Sequence, residues 1–264
     1  MISASNIHAE VKQDFSLRKV AGLLRHYEPP PIAGFEPSGN WRQQYAMFLL
    51  DPGICIKSGD FLLERSSKSS QSFAMRVQLR SAGISGFSLF QHALLQCRTD
   101  TLATPVSWEF ATKMSRRPGD KPYLLSGRHR SASVSNGSLV IRDNLRTSRI
   151  AINSPYSNEW TLLEAVQRLP GESMKTIHYT LIDEYDTPQP DHSLAFRTQA
   201  QVTAANGPLR LVGYYDIGRA VIPTVYWVDQ HGRLIFVCTG LVAYVLTATN
   251  GRMARCPPRY SAYH

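Results

Sequence analysis

Residues Val221 to Leu246 constrain the fold more than any other stretch of the chain. Val225 to Asp229 is rich in β-branched and aromatic residues, and Gln230, His231 and Gly232 supply a polar turn. Leu234 to Cys238 then runs apolar, and after Gly240 the pattern resumes through Leu241 to Leu246. Short apolar runs joined by glycine-containing turns predict hairpins between consecutive strands, and strands joined so closely pair antiparallel. This fixes a β-rich class and leaves the chemistry open.

The same signal recurs along the chain. Tyr45 to Leu50, Ile54 to Ile56 and Phe61 to Glu64 read as strands separated by Asp51-Pro52-Gly53 and Ser58-Gly59-Asp60, with Ser66 to Ser72 as a polar loop. Phe73, Met75, Val77 and Leu79 alternate with polar residues, the period of two that gives a strand one dry and one wet face. Val106, Trp108 and Phe110 alternate likewise, whereas Phe87 to Cys97 fits a strand or a short helix. Asn136-Gly137 between Ser131–Ser135 and Ser138–Ile141 predicts a type I′ hairpin turn. Further strands are expected over Ile177–Leu181, Leu194–Thr203 and Leu209–Ile217, about ten to twelve in all by this pattern.

One helix interrupts them. Ser157 or Asn158 can cap it, Glu159 suits its positive end, Trp160, Leu163 and Val166 form an apolar stripe, and Pro170-Gly171 stops it. A second helix is expected between His8 and Glu28, with Leu17, Val20, Ala21 and Leu24 on one face and Pro29-Pro30-Pro31 ending it. A helix docked on its own domain is preferred there to a membrane-surface helix. With 264 residues, 43% of them hydrophobic, the chain can bury a core without staples. The expectation is an N-terminal arm and Pro-rich linker over residues 1–40 and a single β-rich domain over 41–264.

A sheet of this size must curl, close or split. The fold class expected is mainly β (α+β), a large curved antiparallel sheet or open barrel with an internal helix. The layout resembles the deeply curved sheets of bacterial lipoprotein-carrier-type proteins and their uncharacterised relatives, in which a helix plugs the concavity. The resemblance is architectural, covers roughly residues 41 to 250, and implies ligand binding without assigning a residue.

Several chemistries lack their signatures. There is no GxSxG elbow, HExxH pair, GxxxxGK loop or GxGxxG turn. Cys55, Cys97, Cys238 and Cys256 form neither a CxxC nor a zinc-finger spacing, so no metal site and no cofactor is expected, and Cys97 and Cys238 read as buried thiols. Residues 1 to 30 lack the apolar core of a secretory leader, and the run Leu234 to Ala248 is too short and β-branched for a membrane span. A soluble chain, cytoplasmic by default, is the expectation.

Three sites compete. An incompletely filled concavity lined by Trp108, Tyr179 and Trp227 would hold an apolar or amphiphilic small molecule. Strand parity puts Trp227 and Tyr226 on opposite faces, so only one of them can line a given cavity. Segment 111–150 carries nine cations against Asp120 and Asp143, a net +7 of the chain's +9. Within it Arg116, Arg117, Arg128 and Arg130 would meet an anionic partner. Nucleic acid is disfavoured, because Tyr123 alone among those residues offers a base a stacking platform. Finally, Asp183, Glu184 and Asp186, near Asp191 and His192, could serve a carboxylate-dependent hydrolase or glycan-active enzyme, although two prolines favour a solvated loop.

Overall fold

The computed structural model describes residues 14–32, 34–51, 54–82, 87–116, 124–143, 146–152, 155–184, 186–219 and 221–254. Its strands are β1 (Trp41–Asp51), β2 (Ile54–Ser69), β3 (Ser72–Ala82), β4 (Phe87–Arg98), β5 (Pro105–Arg116), β6 (Leu124–Ser135), β7 (Ser138–Asp143) and β8 (Thr147–Ala151). They continue as β9 (Tyr156–Asn158), β10 (Ile177–Asp183), β11 (Thr187–Ala204), β12 (Gly207–Ile217), β13 (Thr224–Asp229), β14 (Leu234–Thr239), β15 (Val242–Thr249) and β16 (Arg252–Met253). The helices are α1 (Phe15–Leu24) and α2 (Glu159–Ala165).

All sixteen strands lie in one open sheet, ordered β8-β7-β6-β5-β4-β3-β2-β1-β15-β14-β13-β12-β11-β10-β9, with β16 beside β15. Neighbours pair antiparallel except β9 and β10, which are parallel. The curved antiparallel sheet with an internal helix is therefore the observed class, with more strands than the ten to twelve expected. The surplus includes β8, β9 and β16, too short to show a period. Phe87 to Cys97 is a strand, since each residue of β3 from Ser72 to Ala82 has a partner in β4.

Two expected interruptions are absent. Ser58-Gly59-Asp60 is not a turn: β2 runs through it with a register shift opposite Met47 and Phe48. A Cβ on Gly59 would lie 2.2 Å from the Arg80 carbonyl oxygen, so the strands approach there as only glycine permits. The serine-rich stretch is likewise strand up to Ser69, with β3 beginning at Ser72. At Asn136-Gly137 the φ angles of 49° and 69° match the left-handed pair of a type I′ turn.

The sheet wraps around α2. Strand β9 runs straight into the helix, and its last residue is the cap: Asn158 accepts a bond from the Trp160 amide at 2.9 Å and donates one to the Ile182 carbonyl at 2.8 Å. Six of its seven residues, Trp160 to Ala165, are buried, so the helix has no wet face and fills the concavity as a plug. Gln167 beyond it exchanges amide bonds with Gln43 of β1 at 2.9 and 3.0 Å, and its Oε1 accepts from the Leu234 amide at 3.2 Å.

Helix α1 covers the opposite, convex face of β13 and β14. Asp14 caps it through the Ser16 and Leu17 amides, and Leu17, Val20, Leu23 and Leu24 are buried. Because α1 lies outside and α2 inside, all six residues of β14 except Thr239 are buried, matching a continuous apolar run in place of an alternation. Among the described residues no helix is long and apolar enough to cross a membrane.

Strand pairing does not close the barrel; side chains do. The Arg130 guanidinium of β6 meets the Asp186 carboxylate at 2.5 Å and the Glu184 carbonyl at 3.3 Å, across the gap between the two arms of the sheet. Nearby, Tyr156 donates to the Pro105 carbonyl at 2.9 Å and Ser157 to the Leu102 carbonyl at 2.8 Å.

Candidate functional site

The β10–β11, β12–β13 and β14–β15 ends gather with the adjoining ends of β1 and β2 at one end of the barrel, and the first turn of α2 faces that end. Between them lies a partly open cavity of about 220 Å³. Trp160 and Leu163 of the plug, with Tyr226, Val237 and Tyr244 of the sheet, give it an apolar floor. Trp160 lies edge-on to Tyr244 with ring centroids 6.5 Å apart. Thr224 and Thr239 stand at the rim, joined by a 3.1 Å hydroxyl bond, beside Val221 and Ile222.

The polar wall is acidic. Glu159, Asp183 and Asp216 line it, together with Gln189 and His192, and among the described residues no lysine or arginine does. His192 Nδ1 lies 2.9 Å from Asp216 Oδ1, and the same oxygen accepts a 2.6 Å bond from the Tyr179 hydroxyl. A Cβ at residue 218 would sit 2.4 Å from His192 Nε2, so Gly218 is what allows the β12–β13 connection to fold over the ring. Asp183 accepts from Gln189 at 2.7 Å and from the Glu184 amide.

Glu159, the first residue of α2, is set into this wall. Burial, and then the neighbouring Asp183 and Glu184 carboxylates, push its carboxyl from an ordinary 4.5 up to about 8. The helix N-terminus would favour the anion, but a helix of only two turns is outweighed by desolvation. At neutral pH this group is a neutral acid that can donate a hydrogen bond into the cavity.

A sign follows for stability. Below about 4.5 both folded and unfolded states hold the Glu159 proton. Between there and about 8 only the folded state does, so rising pH favours unfolding, and above about 8 the loss is complete. Glu159→Gln is expected to remove this component. Thermal melts of both proteins from pH 5 to 9 test it, and parallel curves would contradict the assignment.

The structure separates the residues singled out by sequence. Tyr179 is buried one layer behind the cavity, where it orients Asp216. Trp108 is buried in β5 on the concave side, away from the cavity lining. Trp227 points to the convex face, stacked on Phe236 at 5.9 Å and donating from its indole nitrogen to Ser16 Oγ at 2.8 Å. Tyr226 takes the cavity position in its place.

Of the four arginines, Arg130 is 4% exposed and engaged inside the barrel, so it offers nothing to an outside partner. Arg128 is half-exposed and 4.0 Å from Asp143, Arg116 is exposed, and Arg117 lies outside the described residues. Asp186, a candidate catalytic acid, is the residue that holds Arg130. The Asp183 to Asp191 segment is a β-hairpin in place of a loop, with Glu184 and Asp191 in the left-handed region at φ 46° and 64°. Cys97 and Cys238 are buried free thiols, and burial pushes Cys238 up to about 12. Cys256 falls outside the described residues.

No protein-family model matches the sequence, and no curated protein matches it. Among solved structures, the chain is similar to a β-barrel-like protein from Brucella abortus, described as a domain of unknown function, DUF1849. The superposition has a TM-score of 0.54 at 13% identity and covers 81% of this chain and 98% of the other. The likeness is one of fold. It agrees with a curved-sheet architecture and carries over no residue and no activity.

Proposed function

We propose that the protein is a non-enzymatic binding protein that holds a small apolar or amphiphilic molecule on the concave side of its sheet, beside the plug helix. The observation that carries this reading is the cavity itself, an aromatic floor with a few convergent polar groups at an open mouth. Its volume lies below the roughly 300 Å³ at which drug-sized pockets begin, so the ligand seats one end there and leaves the rest at the rim. An acidic wall without lysine or arginine favours a hydrogen-bond-donating or cationic end over a carboxylate or phosphate.

Native beside denaturing mass spectrometry of gently purified protein tests the proposal. A non-covalent mass lost on denaturation, and absent from Thr239→Phe at unchanged melting temperature, is the expected result. An unliganded mass, or the same adduct on the filled variant, would remove the cavity from consideration.

The His192–Asp216–Tyr179 chain favours a second reading, hydrolysis in which His192 acts as general base. An imidazole held by a carboxylate is the arrangement that base catalysis uses. Turnover of chromogenic esters or glycosides that survives His192→Gln would exclude it.

A further inference from the structure

Three rings form the floor of the cavity as a set. Trp160, Tyr226 and Tyr244 line it, and Phe61 of β2 packs behind two of them, its centroid 5.1 Å from that of Trp160 and 5.5 Å from that of Tyr244. Tyr45 backs Phe61 in turn at 5.5 Å. Rings held by other rings keep their places, and the face of an aromatic ring carries the negative part of its quadrupole. At the mouth, Val221 and Ile222 line the same cavity and are 44% and 64% exposed, although both are apolar.

The polar wall is short of positive charge. The bonds that Asp183 accepts come from the Gln189 side-chain amide and the Glu184 backbone amide, both uncharged. Those of Asp216 come from the Tyr179 phenol and the His192 ring. The titratable groups around Glu159 are Asp183 of β10, Glu184 beside it, Tyr226 of β13 and Tyr244 of β15, with Asp216 of β12 and His192 of β11 completing the lining. Arg130, which reaches the Glu184 carbonyl, is engaged by Asp186. The acceptors are served, and what the wall lacks is a cation. Among the described residues no three carboxylates, histidines or cysteines are arranged to hold a metal ion, and a bare ion would make no use of rings or of an apolar mouth.

We propose that the occupant is an organic ammonium, its cationic head set against the Trp160, Tyr226 and Tyr244 rings and the Glu159, Asp183 and Asp216 carboxylates, its apolar tail lying over Val221 and Ile222. The ammonium class deepens the binding reading and presupposes it. Such a molecule suits both halves of the lining, since carboxylates attract its charge and ring faces attract the same charge once it leaves water. A neutral alcohol would bring a hydrogen bond to acceptors already bonded and leave the charge of the wall unmet. A carboxylate or phosphate head would add to that charge. Binding is also coupled to a proton. Burial and its carboxylate neighbours keep Glu159 protonated at neutral pH, whereas a cation beside it favours the carboxylate. The ammonium therefore expels that proton, and its affinity climbs with pH until it levels off above about 8.

Calorimetric titration of the whole protein with octyltrimethylammonium, octan-1-ol and octanoate tests it. At pH 9 the ammonium is expected to bind at least about tenfold more tightly than the alcohol, and octanoate more weakly than either. Lowering the pH to 6 should weaken the ammonium about tenfold in the parent and less than about twofold in Glu159→Gln, which separates Glu159 from His192. A quaternary head carries its charge at every pH, so the probe adds nothing to the profile. Thr239→Phe, melting as the parent does, should bind none of the three. Octan-1-ol bound as tightly as the ammonium, or a native adduct on a protein that takes up no ammonium, overturns the proposal and leaves the binding reading standing. A pH profile unchanged by Glu159→Gln overturns the proton coupling. Ammonium bound equally by Thr239→Phe overturns both readings, because its site would then lie outside the cavity.

Discussion

Replacing Arg65 by methionine is expected to lower the melting temperature by roughly 10 °C, among the largest effects of any single substitution in this chain. Arg65 is 3% exposed, and its Nε meets Glu164 Oε1 at 2.7 Å. Its Nη1 donates to the Ser38 and Gly39 carbonyls and to Ser67 Oγ, and the guanidinium lies over the Phe73 ring at 4.4 Å. Glu164 on the plug is fully buried and also holds Arg168, which donates onward to the Asp100 carbonyl at 2.7 Å. Removing Arg65 strips a buried carboxylate of one of its two cations, a change that costs about 3–5 kcal/mol in such pairs. Adding Glu164→Leu and Arg168→Met should restore most of the loss, since replacing all the charges leaves none buried alone. Thermal denaturation decides, and a single variant melting within 2 °C of the parent would show that Arg65 does not anchor the plug.

The second large effect is expected at Trp227→Ala, with a loss of about 3–5 kcal/mol. This indole is fully buried between β13 and α1, packed over Gly213, and bonded to Ser16. Its removal takes away both the platform and the hydrogen bond that hold the first turn of α1. The variant should therefore be cut by trypsin at Arg18 or Lys19 in α1, or at Arg25 just after it, under conditions that leave the parent whole. Destabilisation without new cleavage there would mean that Leu17, Val20 and Leu24 suffice to keep the helix docked.

Much of the fold was legible because its cause is local. Alternation at Phe73 to Leu79, the Asn136-Gly137 turn and the cap at Asn158 act within a few residues of themselves. The site was not legible, because its parts are far apart in sequence and meet only when the sheet curls. Glu159 reads as an ordinary helix-start acid until the plug carries it into the barrel. Asp216 looks like the end of a strand until His192 and Tyr179 arrive from other strands. Arg130 and Asp186, drawn from two rival candidate sites, neutralise each other across the gap, and no spacing rule pairs residues 56 apart. Strand parity separates Trp227 from Tyr226, yet which of the two faces the cavity depends on the docking of α1, which sequence period does not specify.

That gap carries one more consequence. In a closed barrel strand number, tilt and stagger are coupled, so girth cannot change without repairing the whole ladder. Here β9 and the β10–β11 hairpin are tied to β5, β6 and the segment before β5 by a handful of side-chain bonds, and the plug fills the space between. Strands can therefore be gained, lost or shifted at either edge while every pairing elsewhere stays as it is. The chamber's width becomes an adjustable quantity, set at a seam in place of a sheet.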